Sequence, residues 1–157
     1  MSNIYPPWWD TTITLYNKYK DPQTDVITWF RTVIPNCFWK HVGDNLIIND
    51  VTLKTSSTIC RIPENPKFKE KYLWVNLPND EMSQYFTLGI GDIIVKGEVT
   101  DIINEYEKGS RATDFLTKYA GLQGSIEIQE VAINIGTAKN NPHYYAQGGA
   151  GNNRYYD

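Results

Sequence analysis

Short runs of alternating apolar and polar residues, separated by turn-forming residues, fill the first 62 positions of the chain. Residues 12–19 and 26–33 are two such runs, and a proline and two aspartates lie between them in the segment 21–25. Alternation is the signal of a half-buried strand, and Pro and Asp favour turns. The pattern therefore predicts a β-hairpin with a longer loop. One face of its first strand is expected to carry Ile13, Leu15 and Asn17.

Three further turn signals follow, at Pro35-Asn36, Gly43-Asp44-Asn45 and Asn49-Asp50. Each one separates short runs rich in β-branched or aromatic residues, which fit the pleated surface of a sheet. We expect five or six short strands before residue 63. So many strands in so few residues are typical of a sandwich or a barrel.

The second half of the chain predicts fewer and longer elements. Residues 85–88 and 93–96 are expected to be strands around a turn at Gly89-Ile90-Gly91-Asp92. That turn lacks the Lys-Ser/Thr pair of a phosphate loop, and no helix pattern follows it. Residues 124–135 alternate as a long strand, and two consecutive polar residues, Gln129-Glu130, reverse the alternation and predict a bulge.

Residues 110–120 form the one clear helix pattern. Ser110 is a candidate N-cap, Lys118 lies in the last turn, and Gly121 can end the helix. The spacing of its apolar residues puts them on a single face, which is expected to pack on the sheet. That face consists of Ala112, Phe115, Leu116 and Tyr119.

These elements predict a mostly β protein: a small β-barrel or sandwich with one short α-helix and a long Pro-rich loop. Residues 1–10 form an extended N-terminal arm, because Pro6-Pro7 disfavours helix. Residues 11–147 form a single β-rich domain that includes the loop at 63–82 and the helix at 110–120. Residues 148–157 are rich in Gly, Asn and Tyr and are predicted to be a flexible tail.

Composition excludes several classes of function. The net charge of −3 provides no basic patch for a phosphate backbone, which argues against tight binding to duplex DNA. The N-terminus does not resemble a signal peptide, and no segment is apolar enough to span a membrane. We therefore expect a cytosolic product whose two cysteines, Cys37 and Cys60, are reduced, buried and inert.

Residues suited to catalysis or metal binding are sparse. His41 and His143 are the two histidines, and neither lies in a catalytic motif. Neither cysteine forms the close pair that a zinc site uses. Acidic pairs such as Asp101 with Glu105 are typical of a solvated surface. We predict no catalytic residue, no metal site and no cofactor, and therefore no enzyme.

Three parts of the chain resemble a known family. They are Trp9 to Lys18 together with Trp29-Phe30-Arg31 and Cys37-Phe38-Trp39, Phe86 to Gly97, and Arg111-Ala112-Thr113-Asp114 through Pro142-His143-Tyr144-Tyr145. These segments look like the small neck proteins, often labelled minor capsid proteins, that are encoded in head–tail gene clusters of bacteriophages and prophages.

The resemblance implies a head-closure or head–tail connector subunit with a β-barrel core and a long loop, here residues 63–82. Such subunits form a ring, twelve-fold in this family, between the portal-bound adaptor protein and the tail or tail-terminator protein. The implied location is the virion, after assembly in the host cytoplasm. DNA would be only passing cargo, and no membrane would be involved.

Exposed strand edges and aromatic residues would make the contacts in such a ring. Adjacent residues of an extended segment point in opposite directions, so one of Trp8 and Trp9 can face the domain and the other a neighbour. The predicted interface residues are Trp8, Trp9, Phe68, Tyr72, Trp74, Tyr155 and Tyr156.

Two other functions remain open at this point. A tail-terminator protein occupies the adjacent gene position and has an α/β fold, with which the long 124–135 strand and the helix are compatible. A carbohydrate-binding β-sandwich module would instead present a row of exposed Trp rings on one face of its sheet.

Overall fold

The computed structural model describes residues 5–48, 51–119, 124–135 and 141–150. Six antiparallel strands close into a barrel in the order β1-β2-β3-β6-β5-β4, which confirms the mostly β fold and selects the barrel over the sandwich. The strands are β1 Thr11–Lys20, β2 Ile27–Ile48, β3 Val51–Pro63, β4 Ile93–Lys96, β5 Ser125–Asn134 and β6 His143–Ala150. The helices are α1 Lys71–Trp74, a 3-10 turn Met82–Gln84 and α2 Ala112–Lys118.

The predicted first hairpin is confirmed. β1 pairs with β2 in antiparallel fashion, with Tyr19 opposite Thr28. The Asp21 carboxylate accepts hydrogen bonds from the backbone N–H groups of Gln23 and Thr24, which closes the turn. Ile13, Leu15 and Asn17 are all buried, as their shared face predicted.

Two predicted turns are wrong, because β2 is one continuous strand of 22 residues. Asn36 has a φ of 61°, and the pairing register of β2 with β1 shifts at this point, so Pro35-Asn36 forms a bulge within the strand. Gly43 to Asn45 stay paired with β3. Ladder hydrogen bonds override the local turn preference at both places. The turn predicted at Asn49-Asp50 lies outside the described residues.

The strand predicted at 85–88 is also wrong. Phe86 makes a single parallel bridge to Phe68 instead, and β4 pairs with β1 and β5. The turn at 89–92 is confirmed, since the Asp92 N–H donates to the Gly89 carbonyl and Gly91 has a φ of 94°. Residues 85–89 run beneath the barrel wall, where Phe86 and Leu88 join the core.

The barrel interior holds the main core, and α2 covers a second one. Phe115 and Leu116 of α2 pack on the sheet against Tyr16, Ile93 and Val95, as the helix face predicted. The helix is shorter than the predicted 110–120. Arg111, rather than Ser110, is the N-cap, and its backbone N–H donates to the Asp114 carboxylate. The end predicted at Gly121 lies outside the described residues.

The last strand confirms one prediction and corrects another. The pairing of β5 with β6 shifts between Ile128 and Glu130, which is the predicted bulge. β6 continues to Ala150, so the first three residues assigned to a flexible tail belong to the sheet. An added Cβ at Gly148 would lie 2.1 Å from the Glu127 carbonyl oxygen, so glycine here permits a close approach of two strands.

No helix within the described residues is long and apolar enough to cross a membrane.

Candidate interaction surfaces

The second half of β2 and the first half of β3 extend beyond the barrel as a two-stranded β-ribbon. β1 stops pairing with β2 at Cys37, and β6 stops pairing with β3 at Thr58. From Val42 opposite Ser57 to Ile48 opposite Val51, the two strands pair only with each other among the described residues. At about 3.3 Å per residue, the ribbon extends for about 23 Å. We call residues 42–48 and 51–57 the ribbon.

The ribbon has two backbone edges. Among the described residues, β2 from Val42 to Ile48 and β3 from Val51 to Ser57 pair with no strand other than each other. A two-stranded ribbon is marginally stable in water, and strand edges can pair with another chain, so the ribbon is suited to a partner.

The N-terminal arm lies on its own barrel. The Tyr5 hydroxyl donates to the Pro142 carbonyl oxygen at 2.6 Å, and the Tyr5 ring stacks on Trp9. Trp9 is buried and also contacts Phe38 and His143. Trp8 is 64% exposed. One of the two tryptophans was predicted to face the domain, and Trp9 does so. Because it is buried there, Trp9 is not an interface residue, which corrects that assignment.

The aromatic residues of the 63–82 segment also include a buried one and an exposed one. Trp74 is completely buried against Tyr19 and Phe30, and its indole N–H donates to the Met82 carbonyl oxygen. It therefore belongs to this chain's own core, which corrects its assignment to an interface. Tyr72 is 62% exposed and remains accessible to a partner.

Phe68 lies between these extremes, because it is half-buried. Its ring stacks on Tyr144 at a centroid distance of 3.8 Å and also contacts Phe86. The predicted interface residues Tyr155 and Tyr156 lie outside the described residues.

An exposed apolar surface lies near the start of β2, at the opposite end of that strand from the ribbon. Tyr72 and Leu73 of α1 and Ile90 of the 89–92 turn are all exposed there. The Lys71 side chain of α1 lies close to Gly89 of the turn. A Cβ added to Gly89 would be only 3.2 Å from it.

A buried polar cluster holds this end of the barrel together. Asp92 is completely buried, and one carboxylate oxygen accepts hydrogen bonds from the Asn17 side-chain amide and the Gly89 N–H, at 2.8 and 2.9 Å. The other oxygen accepts from the Lys18 N–H at 3.0 Å, and Lys71 Nζ lies 3.9 Å from it. Because both oxygens are occupied, the arrangement suits anchoring of the loop better than proton transfer.

Asn17 extends this cluster to Thr87. Its amide nitrogen also donates to the Thr87 carbonyl oxygen at 2.6 Å, and its side-chain oxygen accepts from the Thr87 N–H at 3.2 Å. The inward position of Asn17 was predicted from the strand pattern, and a polar residue on an apolar face signals such a network. Sequence reasoning missed Asp92 and Lys71, since their partners are distant in the sequence.

Burial raises the pKa of Asp92, although Lys71 and the three N–H donors act in the opposite direction. A raised pKa means that the folded state binds the proton more tightly than the unfolded state. The stabilisation that comes from protonated Asp92 is therefore fully present below the ordinary Asp pKa of about 3.9. It is lost as pH rises through the higher pKa of Asp92 in the folded state. We expect wild type to lose stability relative to Asp92→Ala across that window, measured by urea unfolding at a series of pH values. Parallel pH profiles of the two proteins would contradict this expectation.

The remaining candidate residues have structural environments. Cys37 and Cys60 are buried and unpaired, as predicted, and a hydrogen bond with Cys37 together with burial raises the pKa of the Cys60 thiol. His41 lies 3.1 Å from the Thr58 hydroxyl, and His143 lies 2.7 Å from the Asn141 carbonyl oxygen. Within the described ranges, no group of three or more His, Cys, Asp or Glu residues is placed to hold a metal ion.

Comparison with known proteins identifies a family for this chain. The model of a family of unknown function, DUF6751, matches residues 8–149. The chain belongs to this family. The match begins in the N-terminal arm at Trp8 and covers the ribbon and all six strands of the barrel except the last residue of β6. No curated protein and no solved structure matches the chain.

Proposed function

We propose that this DUF6751 protein is a structural subunit of the bacteriophage neck, a head-closure or head–tail connector protein that assembles into a ring. Its neighbours would be further copies of itself, the portal-bound adaptor protein, and the tail or tail-terminator protein. It would reside in the virion after assembly in the host cytoplasm, and DNA would only pass through the ring.

The ribbon is the observation that carries this proposal. A projecting pair of strands is a liability for a monomer, because its backbone edges can pair with foreign strands. In a closed ring the same contact is repeated in every subunit, so a modest interaction becomes sufficient for assembly. The exposed Tyr72, Leu73 and Ile90 provide an apolar surface near the other end of β2.

Two features favour the neck over the alternative functions. A closed antiparallel barrel agrees with the β-barrel core that the resemblance implies, and not with the α/β fold of tail-terminator proteins. A carbohydrate-binding module needs a row of exposed Trp rings. Trp9 and Trp74 are instead buried in the core.

The sharpest test of the proposal removes the ribbon. Replacing residues 44–55 with Asn-Gly, a two-residue hairpin turn, would join Gly43 to its partner Ser56 and leave the barrel strands complete. We expect this variant to weaken ring formation at least about tenfold, equivalent to about 1.4 kcal/mol, because the projecting strands would no longer reach a neighbour. Lys108→Ala, an exposed substitution outside the ribbon, should assemble like wild type.

The measurement is size-exclusion chromatography with light scattering, on the protein alone and after addition of the purified adaptor ring. Unchanged melting temperatures of both variants would show that the monomer remains folded. The neck function would be refuted if the wild-type protein stayed monomeric and did not bind the adaptor ring. Equal assembly of the two variants would refute the role of the ribbon.

A further inference from the structure

Two buried thiols lie side by side inside the barrel. Cys37 of β2 and Cys60 of β3 are both fully buried in the main core. Cys60 pairs with Trp39, and Cys37 precedes Trp39 by two residues on β2. Side chains two residues apart on a strand share a face, so Cys37 and Cys60 are diagonal neighbours on the inner face of the barrel wall. A hydrogen bond links the two thiols.

We propose that Cys37 and Cys60 form a redox-active pair, which hydrogen peroxide converts into a disulfide between β2 and β3. Burial alone predicted two inert thiols, and their position side by side changes that expectation. The proposal is independent of the neck function, because it depends only on two neighbouring strands of the barrel wall.

The spacing of the two residues allows the bond after a small adjustment. Diagonal neighbours in a sheet have Cα atoms about 7–8 Å apart, whereas disulfides usually join Cα atoms that are at most about 7 Å apart. The inner face of a barrel is concave, so side chains that point inward converge. Ala146 of β6 lies opposite Cys60, and its small side chain leaves room for the Cys60 sulfur to move.

The oxidation needs no group besides the two thiols and the peroxide. The Cys37 thiol gives up its proton, its sulfur attacks one peroxide oxygen, and the O–O bond breaks to leave a sulfenic acid and one water. The Cys60 sulfur then attacks the Cys37 sulfur, the S–O bond breaks, and hydroxide leaves with the Cys60 proton as a second water. Two thiols thus lose two electrons, and one hydrogen peroxide is reduced to two waters.

Cys37 is placed to react first. Thr11 opposite Cys37 is the last pair of the β1–β2 ladder, and ladder ends open more readily than their interiors. Cys60 is instead held between two ladders, opposite Trp39 on one side and Ala146 on the other. Hydrogen peroxide is small and uncharged, so a local opening at the end of β1 is sufficient to admit it.

The disulfide would fix the base of the ribbon. It would join β2 to β3 inside the barrel wall, before the point at which Val42 and Ser57 begin the ribbon. Residues 38–59 would become a closed loop that contains the whole ribbon. Such a cross-link stabilises the folded protein, chiefly because it restricts the unfolded chain.

Peptide mapping of the oxidised protein tests the site. The folded wild-type protein is incubated with hydrogen peroxide, its remaining thiols are alkylated in denaturant, and it is digested without reduction. We expect a cross-linked peptide pair that contains Cys37 and Cys60 and is lighter by two hydrogen atoms than the two free peptides together. Dithiothreitol should restore both thiols.

A second readout is the melting temperature. We expect it to rise by at least about 5 °C on oxidation and to return to its original value after reduction. Cys37→Ala and Cys60→Ala are the matched controls, because each retains one thiol and every methionine. Peroxide should not raise the melting temperature of either variant.

Three results would overturn the proposal. The first is a wild-type protein in which both thiols stay free, or in which one becomes a sulfinic acid while the other stays free. The second is a disulfide that joins two molecules instead of two strands. The third is an internal disulfide that lowers the melting temperature, because the native spacing would then exclude the bond.

Discussion

Asp92→Ala is expected to lower the free energy of unfolding by about 3–5 kcal/mol, because it leaves three N–H donors, two of them buried, without an acceptor. These donors are the Asn17 amide and the backbone N–H groups of Lys18 and Gly89. Typical domains are stable by only about 5–15 kcal/mol, so this loss is a large share of the total. Urea unfolding followed by tryptophan fluorescence measures it.

Two further variants separate this mechanism from a general effect of removing charge. Asp92→Asn keeps one oxygen and should cost less, about 1–3 kcal/mol, because part of the hydrogen bonding survives. Asp80→Ala removes an exposed carboxylate and should change stability by less than about 0.5 kcal/mol. If Asp92→Ala were as stable as Asp80→Ala, the buried cluster would not anchor the loop.

Trp74→Ala is expected to destabilise the protein by about 3–5 kcal/mol, the usual range for truncation of a buried Trp. The substitution removes ring contacts with Tyr19 and Phe30 and the hydrogen bond to the Met82 carbonyl oxygen. It would therefore detach α1 from the β1–β2 hairpin. Thermal and urea unfolding measure the loss.

Tyr72→Ala is the matched control for Trp74→Ala, because it lies two residues away in the same helix and is exposed. We expect it to leave stability within about 0.5 kcal/mol of wild type. Its effect should instead appear in assembly with partner molecules. A similar loss of stability in both variants would show that the helix, rather than the buried ring, is the sensitive element.

The alternation of residues predicted the strands that are local in sequence. The β1–β2 hairpin, the bulge at Gln129-Glu130 and the inward face of α2 all follow from spacing within one or two elements. The inward position of Asn17 follows from the same alternation and was the one sequence signal for the buried polar cluster.

The errors share a physical cause, because they concern pairing between distant segments. Pro35-Asn36 and Gly43-Asp44-Asn45 carry turn residues, yet the ladders with β1 and β3 hold β2 extended through both. The glycine at 148 suggested flexibility, whereas it permits close contact between two strands. Local preference can be read from neighbours in sequence, but the ladder that overrides it cannot.

The interface residues were the least predictable part of the chain. An aromatic side chain has the same composition signal in a core as at an interface, so Trp9 and Trp74 could not be told from Trp8 and Tyr72. The ribbon was missed because the turn predicted at Gly43-Asp44-Asn45 does not form, and the strands predicted on either side of it were too short to project.

The unbroken course of β2 has a mechanical consequence. The same strand forms part of the barrel wall and one side of the ribbon, without a loop between them. The hydrogen bonds of an antiparallel ladder are perpendicular to the strands, so tension along β2 loads many of them in shear at the same time. A pull on the ribbon would thus be borne by the barrel wall as a whole.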